Sequence, residues 1–174
     1  MVKFAFKNLL NSDATYICHQ VNCQGAMNSG VAKAIRNKWP VVYQEYLNKF
    51  NGHIMYNLPK STLLGDIQVV DVENNKYVLN MFSQENFGYD KRRYTSYDSF
   101  WTCLELIKLT APIGSKIAFP YKIGCDRGGA NWNVIYVMIC EALGKDYDVE
   151  ICYLEEDDWI YLYNTQNFCK TEEN

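Results

Sequence analysis

At 174 residues, with 48% hydrophobic and 21% charged residues, the chain has the size and composition of one compact domain with a full core. A net charge of −3 and a pI of about 5.4 argue against a general nucleic-acid binder, whose surface would be basic. No apolar run approaches membrane-spanning length, and the opening MVKFAFKNLL lacks the apolar region and small-residue cleavage site of a secretory signal. The seven cysteines are odd in number and show no C-x-x-C spacing, so they read as core-filling thiols of a reduced, cytoplasmic protein.

In chain order, runs rich in Val, Ile, Tyr and Phe predict strands near 2–6, 15–21, 66–71, 76–82, 115–119 and 148–153. Helices are expected near 29–38, 40–50, 96–109 and 132–143. Pro40 separates the first two, since proline ends one helix and suits the first turn of the next. The third begins at Thr95 or Ser96, where Thr95-x-x-Asp98 resembles a capping box. Its Tyr97, Phe100, Trp101, Leu104 and Ile107 form an apolar stripe. The fourth turns Ile135, Met138, Ile139 and Ala142 inward and stops at Gly144. This order predicts an α/β fold, a three-layer α/β/α sandwich with a mixed, largely parallel sheet. Residues 154–163, LEEDDWIYLY, begin a different segment, expected to pack Trp159, Ile160 and Leu162 on the domain as an extra edge strand or helix.

Two loops carry the chemistry. HQVNCQGAMNSGVAKAIR, residues 19–36, leaves a strand at Asn22, passes Gly25 and Gly30, and enters a helix at about Ser29. PYKIGCDRGGANW, residues 120–132, repeats the plan between the fifth strand and the last helix. Such turns surround a concavity with unpaired backbone N–H groups, which hold phosphate oxygens without a metal. Ligands of α/β sheets bind beyond the carboxyl ends of the strands, where both loops fall. The pair suggests one ligand with two phosphates, or a phosphate and a sugar.

The first loop with its following tryptophan-proline pair resembles the first ligand loop of the macro domain. The resemblance is to the phage and bacterial branch that processes ADP-ribose-1″-phosphate. LLGD at 63–66, RYTSYDSF at 93–100 and PYKIGC with its later GG and Trp132 match that branch in order. The resemblance implies a macro domain over 1–153; it does not cover residues 154–174, which are expected to form a C-terminal extension packing on the same domain. It implies an ADP-ribose-type nucleotide as ligand; with the composition, charge and spacing above, the expectation is a monomer in the cytoplasm, the host's if phage-encoded, with no cofactor, metal, membrane or nucleic-acid partner.

By the same resemblance, Asn22 orients the distal ribose, its amide reading a vicinal diol. Gln20, Val21, Gln24, Gly25, Met27, Asn28, Ser29, Gly30 and Val31 wrap the ribose and proximal phosphates. Pro120, Lys122, Ile123, Gly124, Cys125, Arg127, Gly128, Gly129, Ala130 and Trp132 close over the diphosphate. Phe82 and Gln84, around Ser83, lie beside the distal ribose. Asn8 stands where many members have an aspartate that bonds adenine.

Departures bear on activity. Asn28 replaces a usual glycine, and asparagine tolerates a positive φ. Asn131 replaces a frequent aspartate. Asp126 stands in the phosphate loop, which is unfavourable beside a diphosphate unless it takes a proton, pairs with Arg127 or serves as a base. The lysine and aspartate with which a related eukaryotic branch removes ADP-ribose from proteins have no counterpart here.

Other chemistry reads as bland. His19 and Cys18 sit on a buried strand, and with Cys23 they lack zinc spacing. His53 has no evident partner. Cys125 is a weak candidate thiolate, lowered by N–H dipoles but without an adjacent base. Lys91, Arg92 and Arg93 read as a solvated helix entry.

The expected activity is therefore hydrolysis of the terminal phosphate of ADP-ribose-1″-phosphate, with Asn22 and Asp126 as catalytic candidates. The alternatives are a non-catalytic nucleotide sponge, or an ADP-ribosyl hydrolase acting on modified macromolecules.

Overall fold

The computed structural model describes residues 1–154, so the expectation for the extension beyond them lies outside the described residues. Six strands form one sheet: β1 (Val2–Phe6), β2 (Tyr16–Asn22), β3 (Ile67–Glu73), β4 (Lys76–Gln84), β5 (Lys116–Pro120) and β6 (Asp148–Tyr153), in the order β1-β6-β5-β2-β4-β3. All neighbours are parallel except the antiparallel edge pair β3–β4. Among the described residues four α-helices flank it: α1 (Gly30–Lys38), α2 (Pro40–Met55), α3 (Tyr97–Thr110) and α4 (Trp132–Leu143). The expected α/β sandwich is thus the observed one.

Period-two alternation divides the core between the two faces. Tyr16 and Cys18 of β2 pack with Phe100 and Leu104 of α3 and Ile135 and Ile139 of α4. Ile17 and Val21 face Ile35 of α1 and Val42 and Tyr46 of α2. Central strands buried on both faces read as apolar runs, as parallel strands must.

Local differences have physical reasons. Helix α2 extends to Met55, past the predicted end near 50. Single 3-10 turns at Leu9–Asn11 and Lys60–Leu63 carry no periodicity long enough to read. The cap of α3 is Ser96, which accepts from the Ser99 N–H at 3.1 Å, while Thr95 is drawn into other bonds. Trp101, expected inward, is 36% exposed, and Cys103 takes the inward position.

Candidate functional site

A cavity of about 490 Å³ opens at the carboxyl ends of β2, β4 and β5, between the two glycine loops. Asn22, Ala26, Asn28, Ser29, Gly30, Val31 and Ala32 form one wall. Pro120, Tyr121, Lys122, Ile123, Gly124, Asp126, Arg127 and Gly128 form the other. His19, Gln20, Gln84 and Phe87 complete it.

Both walls present backbone donors. The N–H groups of residues 30–32 precede any carbonyl of α1 able to accept them, and the Ser29 side chain does not cap them. In the second loop the N–H groups of Gly124, Asp126, Arg127 and Gly128 make no hydrogen bond within the described residues. Two facing sets of donors, one at a helix start, form an anion-binding concavity.

A buried polar relay holds the second loop in place. The Gln20 amide donates to Gln84 Oε1 and, at 2.9 Å, to Thr95 Oγ1, and accepts from Ser83 Oγ at 2.8 Å. The Thr95 hydroxyl donates to the Gly124 carbonyl at 3.0 Å. The Gly128 carbonyl accepts from the N–H groups of Tyr94 and Thr95 at 2.8 and 2.9 Å. Glycine is required in this crowding: a Cβ on Gly128 would lie 2.5 Å from the Gly124 carbonyl oxygen, and Gly124 itself sits at φ +76°.

The first loop is organised by Asn22. Its Oδ1 accepts from the Gln24 N–H at 2.9 Å and the Tyr46 hydroxyl at 2.9 Å, and its Nδ2 donates to the Ala26 carbonyl at 2.7 Å. The amide therefore shapes the turn and keeps one N–H for a ligand. Asn28 accepts from Arg36 at 2.8 Å and does not adopt the positive φ that replacement of a turn glycine suggested.

His19, expected as a packed histidine, is 1% exposed and also lines the cavity. Its tautomer follows from a chain of bonds. Gln68 Nε2 donates to the Glu45 carbonyl at 2.8 Å, so Gln68 Oε1 accepts from Asn80 Nδ2 at 3.0 Å. Asn80 Oδ1 then accepts from His19 Nε2–H at 2.6 Å. The ring is left with a bare Nδ1, buried and without a partner among the described residues. Burial holds this imidazole down at about 4, against an ordinary 6.5, so it is neutral.

Several expected residues do not form the cavity wall. Val21, Met27 and Phe82 point into the core, Phe82 against the Tyr46 ring. Gln24 turns away to Lys60 and the Glu85 carbonyl. Gly25 faces Phe50, and Gly129 backs onto Arg92. Trp132 packs edge-on against Tyr121, Ala130 rests on the core, and Asn8 caps the Leu9–Asn11 turn. Cys125 lies behind the loop, and burial pushes its thiol up to about 12, the reverse of an activated thiolate. Asp126 forms no ion pair with Arg127; its side chain accepts from the Tyr89 hydroxyl at 3.5 Å. Conversely, Ala26, Ala32, Phe87 and Tyr121 enter the wall without a signature in the sequence beyond their place beside the loops.

No family model and no curated protein sequence matches the chain. Solved structures do. The macrodomain of Mycobacterium tuberculosis DarG superposes with a TM-score of 0.70 at 19% identity, covering 89% of this chain and 99% of its own. A mutant macrodomain from Oceanobacillus iheyensis with ADPR gives 0.73 at 14% identity, covering 98% and 94%. Thermosipho africanus DarTG in complex with ADP-ribose gives 0.68 at 18% identity, covering 90% of this chain and 42% of the larger protein. At these identities the likeness establishes the macrodomain fold.

Proposed function

With the macrodomain fold as premise, we propose that the chain binds ADP-ribose or a close derivative in this cleft and hydrolyses the terminal phosphate of ADP-ribose-1″-phosphate. The observation that carries the reading is the pair of facing backbone-donor loops around a cavity of about 490 Å³, the size class of nucleotide-sized ligands. Support comes from the two solved structures of the same fold that hold ADP-ribose.

In this reading the diphosphate lies between the start of α1 and the second loop, where no Cβ obstructs the backbone at Gly124 and Gly128. The distal ribose lies over Asn22, whose remaining amide N–H donates to a ring hydroxyl. Asp126 directs a water toward phosphorus. The water oxygen forms the new P–O bond, the bond from phosphorus to the ribose 1″ oxygen breaks, and the departing ribose oxygen takes the proton that the water gives up. ADP-ribose and inorganic phosphate leave. The loop N–H groups stabilise charge as it develops on the phosphoryl oxygens.

A second reading, sequestration without turnover, is favoured by one feature. The Asn22 amide is largely committed to the protein's own turn. Calorimetric titration with ADP-ribose, followed by phosphate analysis after incubation with ADP-ribose-1″-phosphate, separates the two. Binding with catalytic phosphate release supports the phosphatase. Binding with the ligand recovered intact supports the sponge, and no binding overturns both.

A further inference from the structure

Arg127 has an unusual environment for a cation. Its Nη1 donates to Ser29 Oγ at 3.1 Å, spanning the cleft from the second loop to the cap of α1. The guanidinium lies 5.2 Å from the ring centre of Phe87 and 5.1 Å from that of Tyr89. Its Nε is buried and has no acceptor among the described residues. Nor does any carboxylate among the described residues pair with it, although Asp126 is its chain neighbour. A guanidinium carries five donors, and here one hydroxyl and two aromatic faces occupy it. Among the described residues no carboxylate stands within ion-pair distance of this charge, at a cavity already lined by backbone donors.

Its location selects which group of a ligand it meets. Asn22 pairs with Gln84 in register where β2 and β4 end, and Phe87, beside the guanidinium, follows three residues later. Arg127 thus reaches from the start of α1, on the diphosphate side, to the rings that follow β4 on the sugar side, where a phosphate on the distal sugar would meet it.

We propose that Arg127 is the specificity residue that reads a phosphate monoester on the distal sugar, exchanging its Ser29 contact for the phosphate oxygens. This rests on the nucleotide-binding reading above and adds to it the group that selects the phosphorylated ligand. A planar, weakly hydrated guanidinium pre-oriented on two rings suits a bidentate bond to a phosphate dianion. Ser29 is a neutral acceptor, so the exchange breaks no ion pair.

The test is competition calorimetry on the full chain with ADP-ribose and its non-hydrolysable 1″-phosphonate analogue. In about 50 mM salt, where screening is weak, the phosphonate is expected to bind about tenfold or more tighter. Arg127→Gln should reduce that preference to less than about threefold, and Arg127→Lys should fall between, keeping the charge but losing the fork. Lys33→Gln removes the same charge from an exposed position of α1 outside the cavity wall and should leave the preference in place. A preference that survives Arg127→Gln, or tighter binding of both ligands by that variant, overturns the proposal. Equal affinity of the unmodified chain for both ligands also overturns it while leaving nucleotide binding intact. Failure of the unmodified chain to bind either one is instead the failure of the underlying reading.

Discussion

Asn22 and His19 show how one buried polar side chain serves both the turn and the cavity. Replacing Asn22 with alanine leaves the Gln24 N–H and the Ala26 carbonyl without their partner in a site 8% exposed, while the Tyr46 hydroxyl keeps the main-chain carbonyl of residue 22. The expected cost is about 2 kcal/mol of stability by denaturant unfolding, together with loss of nucleotide binding. Unchanged affinity and turnover would remove Asn22 from the site. His19 makes a pH prediction. The unfolded chain takes up a proton near 6.5, but the folded imidazole resists until about 4. Stability is therefore complete above pH 6.5 and is lost as the pH falls from 6.5 toward 4, by at most about 3 kcal/mol. Unfolding curves across that window should be markedly flatter for His19→Gln, which has nothing to titrate.

At the scale of elements, neighbouring residues at the start of α3 have separate tasks. Ser96 caps the helix. Thr95, one residue earlier, ties the segment to the Gly124 carbonyl and to Gln20. Ser96→Ala should cost about 1 kcal/mol of stability and leave ligand affinity near its original value. Thr95→Val removes the side-chain donor of the Gly124 carbonyl, leaving it the Ala130 N–H alone, and loosens the second loop, so affinity should fall severalfold as measured by calorimetry. Equal effects of the two variants on binding would show that the loop does not depend on this tie. The capping pattern Thr95-x-x-Asp98 was legible, but its register was not, because tertiary bonds to the loop drew Thr95 away from the helix.

Across the whole molecule, one buried carboxylate connects segments distant in sequence. Glu150 of β6, 2% exposed, pairs with Lys7 at 3.0 Å and Lys116 at 3.6 Å and accepts from Ser12 Oγ at 2.8 Å. These bonds hold its carboxyl below its ordinary value despite burial, the largest opposing influence. Its stabilisation is present above the ordinary carboxylate range and lost as the pH falls below it. Glu150→Ala leaves the ammonium groups of Lys7 and Lys116 without this partner and should destabilise by about 3 kcal/mol or more in thermal unfolding. A loss below about 1 kcal/mol would mean that Asp13 and solvent satisfy both cations.

What the residues determined alone was local. Short apolar runs rich in β-branched residues read as buried strands, and the proline at position 40 marked the division of two helices, so element order and the three-layer architecture were legible. Glycine loops between strand and helix marked the cleft for the same reason, since backbone approach and positive φ leave a compositional trace. Side-chain direction left none. Val21 and Asn22 are adjacent on one strand, yet one enters the core and the other the cavity wall. Gln24 and Met27 lie within the loop and face elsewhere. The bare nitrogen of His19 depends on Gln68 and Glu45, far along the chain, and the Arg127 guanidinium is held by Ser29 and two rings from a separate loop. These are relations between segments that only packing brings together, so tertiary structure alone decided them.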